Sequence, residues 1–113
     1  MMGKEAKVNF KDRVKKWAAD LEVDVTAVAI RQMRTKWASW STSGRMTFDA
    51  TLLELSPDLQ AYVIVHELLH AHVPNHGRLW KSLMRAHLGK YETAERELRE
   101  IAAGKPAVSI GRK

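Results

Sequence analysis

The chain has 113 residues and no cysteine, and its 19 Lys and Arg against 13 Asp and Glu give a formal net charge of +6. That length suits one domain with a core that stands without disulfides, and the lack of cysteine excludes both disulfide staples and cysteine-ligated structural zinc. No run approaches the ~18 apolar residues that cross a membrane, and Met1 to Asp20 lacks the apolar stretch of a signal peptide, so a cytoplasmic protein is expected.

From Asn9 to Leu21, Phe10, Val14, Trp17 and Leu21 recur at helical spacing, which predicts an amphipathic helix with Asn9 as its cap. Val28 and Ile30 alternate with Ala29 and Arg31, a strand period that continues towards Met33. Trp37 to Ser41 reads as a second strand, Thr42-Ser43-Gly44 as a turn, and Arg45 to Asp49 as a third strand with Met46 and Phe48 on one face. Trp37 and Trp40 are an odd number apart, so one belongs in the core and the other is exposed or at a cleft. The third strand leads through Thr51 to Ser56 onto the next helix.

That next helix carries the chemistry. Ser56 is placed to cap it, Pro57 suits its first turn, and Asp58 complements the positive end of the helix. His66-Glu67-Leu68-Leu69-His70 follows. Residues four apart share a helical face, so His66 and His70 can point at one ion, with Glu67 within reach of a metal-bound water as general base. A continued helix would carry His76 ~9 Å further along the axis and rotate it away. Pro74 breaks the helix, Val73 before it is pushed out of the α region, and Asn75 and Gly77 tolerate the turn that brings His76 back. Three histidines leave a fourth position open, the catalytic rather than the structural arrangement of zinc. Nearly every other residue of this helix is apolar. A buried Glu67 carboxylate would cost several kcal/mol there unless a cation and its water offset it.

A further helix is predicted from about Leu79 to His87, presenting Leu79, Leu83 and Ala86 or His87, and ended by Gly89. A charged helix follows from Glu92 to about Ala102. Residues 1–103 thus read as a single domain, and 104–113 as a flexible tail. His72 reads as a surface residue that could sit at the cleft rim, His87 as core or surface, and Tyr62 and Tyr91 as packing residues that could alternatively stabilise an oxyanion.

From about Ile30 to Tyr91 the chain resembles the YgjP-like small zinc metallopeptidases. Lys36-Trp37-Ala38-Ser39-Trp40 stands where that family has Arg-Trp-Gly-Ser-Cys, and His66 to His70, Pro74-Asn75-His76 and Leu79-Trp80 match its later motifs. The departures are Ala38 for glycine and Trp40 for cysteine. The His-Gly before the following helix is also similar to the SprT-like proteases, which act on proteins attached to DNA. The resemblance implies a compact, single-domain α+β zincin-like fold, with a small antiparallel or mixed sheet against the metal helix and its flanking helices. It also implies Zn2+ on His66, His70 and His76, with Glu67 as base, and an extended peptide paired to a sheet edge beside the metal helix, for which the Arg45 to Asp49 strand leading onto that helix is the expected candidate.

The function expected is zinc-dependent peptide-bond hydrolysis, with a protein or peptide as substrate. One alternative is a zinc-dependent RNA hydrolase, a class that shares the histidine spacing but carries glycine where this chain has Glu67. Another is a zinc-stabilised module that binds nucleic acid or protein. Residues 31–45 and 73–90 each hold four bases and no acid. Nucleic acid could touch those segments, although such runs more often only solvate a face. No membrane partner is expected, and the sequence does not set the oligomeric state.

Overall fold

The computed structural model describes residues 4–33 and 36–103. The expected tail, 104–113, lies outside the described residues. The first helix, α1 (Lys4–Leu21), begins well before Asn9. Lys4, Glu5, Ala6 and Lys7 are good helix formers, so the helix extends back through them and Asn9 sits inside it rather than capping it. Phe10, Val14, Ala18 and Leu21 form the buried stripe. Trp17, expected on that stripe, is half-buried, and Ala18 takes the inner position.

Three strands follow: β1 (Ala27–Arg31), β2 (Ala38–Trp40) and β3 (Arg45–Asp49). They form one mixed sheet in the order β1-β3-β2. β1 runs parallel to β3 from Ala27↔Arg45 to Arg31↔Asp49, and β2 runs antiparallel to it from Ala38↔Phe48 to Trp40↔Met46. This overturns the expectation that β3 offers a free edge. The hairpin lays β2 on one side of β3, and β1 returns along the other, so β3 is central and β2 is an edge. Gly44 at the hairpin has φ +90°, and a Cβ there would come within 3.1 Å of the Thr26 side chain and 3.2 Å of the Asp24 carbonyl oxygen. Glycine lets the turn press against the entry to β1, where the Thr26 amide donates to the Gly44 carbonyl at 2.9 Å. The connection after β1 is held by the Met33 amide, which donates to the buried Asp49 carboxylate at 3.1 Å.

A 3-10 turn over Ala50–Glu54 leads to α2 (Pro57–Leu69). The Ser56 hydroxyl accepts from the Leu59 amide at 3.3 Å, the cap expected from the sequence. From Leu59 to Leu69 only Ala61 is not fully buried. α2 therefore runs through the middle of the domain, packed by α1, β2, α3 (Arg78–Leu88) and α4 (Glu92–Ala103). Its one buried amide, Gln60, is saturated. Nε2 donates to the carbonyls of Leu52 (2.7 Å) and Leu55 (3.2 Å), and Oε1 accepts from Arg13.

The inner face of α3 differs from the one expected. Trp80 and Met84, one turn apart, are buried, whereas Leu79 is 61% exposed and Leu83 half-buried. The loop before α3 fixes the rotation of the helix and turns Trp80 inward, so the count of leucines misled the reading. Gly89, with φ +69°, closes α3 as expected. α4 buries Leu98 against the core. The architecture is the compact α+β one expected: among the described residues, a small mixed sheet and three helices packed around α2. No described helix is long and apolar enough to cross a membrane.

Candidate metal centre

The end of α2 builds the site. Its last turn tightens: the His70, Ala71 and His72 amides donate to carbonyls three residues back, at 3.0–3.2 Å. Val73 leaves the helix before Pro74, and its freed carbonyl lies 3.1 Å from His70 Nδ1. With Nδ1–H donating there, the lone pair of His70 sits on Nε2, the atom that faces His76.

The return of the chain is made differently from the sequence expectation. Neither Asn75 nor Gly77 adopts a left-handed backbone. Instead, the Asn75 side-chain oxygen accepts from the Gly77 amide at 2.9 Å, an Asx turn in which the side chain replaces a main-chain acceptor. A Cβ on Gly77 would come within 2.8 Å of that same oxygen. A Cβ would push that oxygen aside and cost the Asx turn, so glycine serves here by leaving room for the Asn75 side chain rather than through its φ.

His66, His70 and His76 are brought together. One ligand-capable atom from each lies within 4.8 Å of the others, and His70 Nε2 and His76 Nε2 are 2.9 Å apart. His66 is fully buried, and neither ring nitrogen has a hydrogen-bond partner among the described residues. Its Nδ1 is 3.5 Å from the Glu67 carboxylate. A buried polar atom left unpaired costs about 1–3 kcal/mol, so an imidazole placed this way fits a site that completes its bonding with a metal ion. Two further imidazoles at hand, and no thiol anywhere in the chain, make the donor set a nitrogen one.

Trp80 walls this cluster. Its ring lies edge-on to His66 (5.2 Å between centroids) and His76 (4.6 Å) and stacks on His70 at 6.3 Å. Trp80 is the core residue and family-motif position that the sequence suggests, but its place against the three imidazoles was not foreseen; its position four residues after His76, on the helix that follows the break, was the available signal. Tyr62, one turn before His66, packs 5.6 Å from that ring, stacks on Tyr91, and donates its hydroxyl to Glu95 at 3.3 Å. Burial, and then the Glu95 carboxylate, pushes the Tyr62 phenol far above its ordinary range. Burial, and then Glu92 and Glu95, raises Tyr91 as well. Both tyrosines are buried in this packing. His72 lies apart from the cluster, its Nε2 2.9 Å from the Leu21 carbonyl, and His87 is exposed beside Trp17.

Glu67 and His70 open onto a cleft of about 310 Å³, whose other walls are Lys36, Ala38, Ser39 and Trp40 of the β2 segment, and Pro74. Trp37 is buried and Trp40 half-buried at this cleft, the division that their odd spacing implied.

Residues 1–101 match the family model of the YgjP-like metallopeptidase domain. The chain belongs to this family. Its fold is similar to the crystal structure of the jannalysin metallopeptidase zymogen of Methanocaldococcus jannaschii. The two share 28% identity over 83% of this chain and 95% of that one, with a TM-score of 0.69. The abylysin metallopeptidase zymogen of Pyrococcus abyssi shares the fold at 23% identity, over 79% of this chain and 90% of that one, with a TM-score of 0.65. A search of curated proteins finds no match. The protein is a metallopeptidase, and therefore a hydrolase with a histidine cluster suited to a metal ion.

Proposed function

We propose that the chain is a zinc-dependent peptidase in which His66, His70 and His76 hold the ion and Glu67 is the general base. One observation carries this reading: a fully buried histidine, neither of whose ring nitrogens has a hydrogen-bond partner among the described residues, stands beside two more, and the glutamate next to it opens onto the cleft. Bound there, zinc supplies a Lewis acid, polarising a scissile carbonyl and making water a better nucleophile at neutral pH. Glu67 takes the proton from the attacking water and delivers it to the leaving amine. The His70–Val73 contact keeps one imidazole in the tautomer that ligation needs, and Trp80 excludes water behind the three rings.

Substrate docks on β2 rather than on β3. The Ser41 amide donates to Arg45 at 2.9 Å and the Asp49 amide donates to Trp37 at 2.8 Å, so these pairs face each other across the hairpin. Bonded and non-bonded pairs alternate in an antiparallel ladder, which turns the main chain of Ala38 and Trp40 away from β3. An extended peptide bonds to those groups and lies across the cleft beside Glu67.

Glu67→Gln preserves size and removes the base. Peptide hydrolysis, read by mass spectrometry on a mixed peptide pool, should fall by a factor of ~10² or more while zinc content holds. Unchanged turnover would remove Glu67 from the mechanism, and loss of zinc would make it a structural residue.

A further inference from the structure

The cleft wall has a charge and shape pattern that selects among peptides, an inference that rests on the peptidase reading above. Lys36 is exposed, Ala38 is buried and Trp40 is half-buried. β2 begins at Ala38, and a bend at Trp37 separates it from Lys36; Lys36 and Trp40 nevertheless line the same cleft as Glu67. Glu67 is the one acid in that lining, and the proposed chemistry uses it. The Lys36 ammonium therefore meets no other carboxylate among the described lining residues. At the other end, the Trp40 indole and the Pro74 ring form an apolar shelf.

A peptide pairing antiparallel to β2 runs from the Trp40 end towards the Lys36 end. Residues directly opposite each other in such a pair put their side chains on the same face, ~4.5–5.5 Å apart at Cβ. Lys36 lies four residues before Trp40 and both line the cleft, so the peptide residue set against Lys36 follows by about four the one set against Trp40. We propose that the cleft selects peptides with an apolar or aromatic residue against Trp40 and an acidic residue four positions later against Lys36. The net charge of +6 acts in the same sense by drawing acidic chains to the surface. Lys36 and Trp40 are specificity-determining residues, acting on binding rather than on the proton transfers.

The test is binding of fluorescein-labelled octapeptides to the zinc-loaded Glu67→Gln protein at low salt, read by fluorescence anisotropy. One peptide carries Leu and, four residues later, Glu; a second has Lys in place of that Glu; a third has the Leu and Glu in reverse order. The Glu peptide should bind at least roughly fivefold tighter than the Lys peptide, as an exposed ion pair set against a like-charge contact implies. Adding Lys36→Glu should invert that ratio. Adding Trp40→Ala should weaken both peptides by roughly tenfold and leave the ratio intact. The reversed peptide should lose the preference. Equal affinity for the three peptides, or a ratio that Lys36→Glu leaves unchanged, overturns the proposal while the peptide-binding cleft stands. If no peptide of either charge binds, the cleft assignment falls with it.

Discussion

His66 gives up stability for the sake of the site, and the amount follows from its surroundings. It is fully buried, and neither ring nitrogen has a hydrogen-bond partner among the described residues. At the lower end of the cost of an unsatisfied buried group, about 1 kcal/mol each, the two amount to about 2 kcal/mol. Leucine has a comparable volume and no polar atom, so His66→Leu should stabilise the metal-free protein by about that much. For a domain of this size that is a rise in Tm of about 8 °C. With zinc in excess the order should reverse. At a free-metal concentration 100 times Kd, ligation adds ~2.7 kcal/mol to the native state of the parent, and the variant with one ligand fewer forgoes most of it. Calorimetry of both proteins in chelator and in excess zinc reads all four values. If His66→Leu is the less stable protein in chelator, the imidazole is already satisfied without metal, and the ligand role inferred from its unpaired atoms loses its basis.

His76→Ala should lose most of the ~1 equivalent of zinc retained after dialysis, whereas His72→Ala should keep it and lose only the hydrogen bond to Leu21, roughly 1 kcal/mol. Retention in the first and loss in the second would reverse the ligand assignment. Tyr62 sets an alkaline limit. Its phenol is held far above 10.0 by burial and then by Glu95, while the phenol of the unfolded chain ionises near 10.0. Its contribution is thus complete below that pH and is lost as pH rises beyond it. Thermal unfolding from pH ~8 to ~11 should show a shallower decline in Tyr62→Phe than in the parent.

The sequence was most legible where covalent rules act locally. Ser56 and Pro57 set the start of α2, Pro74 its end, and the four-residue spacing of His66 and His70 their common face. The division of labour between Trp37 and Trp40 followed from parity alone. Long-range pairing was not legible. Arg45 to Asp49 was correctly bounded as a strand, but its neighbours depend on β1 returning in parallel on its far side, which no local pattern records. The face of α3 failed for a related reason, because its rotation is fixed by the Asn75–Gly77 turn and by three imidazoles waiting for Trp80. The start of α1 failed on propensity: a charged but helix-favouring segment extends a helix without adding any core residue.

The three histidines all come from residues 66–76, one helix end and the loop after it, whereas the cleft needs β2, a strand distant in the sequence. Local segments and remote strand pairings open with different free energies in a native protein. If the sheet edge is the segment of lower opening free energy, mild denaturant would release it while the three histidines of the proposed metal site stay together. A preparation in that condition retains its metal but has no peptide groove, so metal content alone will overstate how much of it is competent to cut.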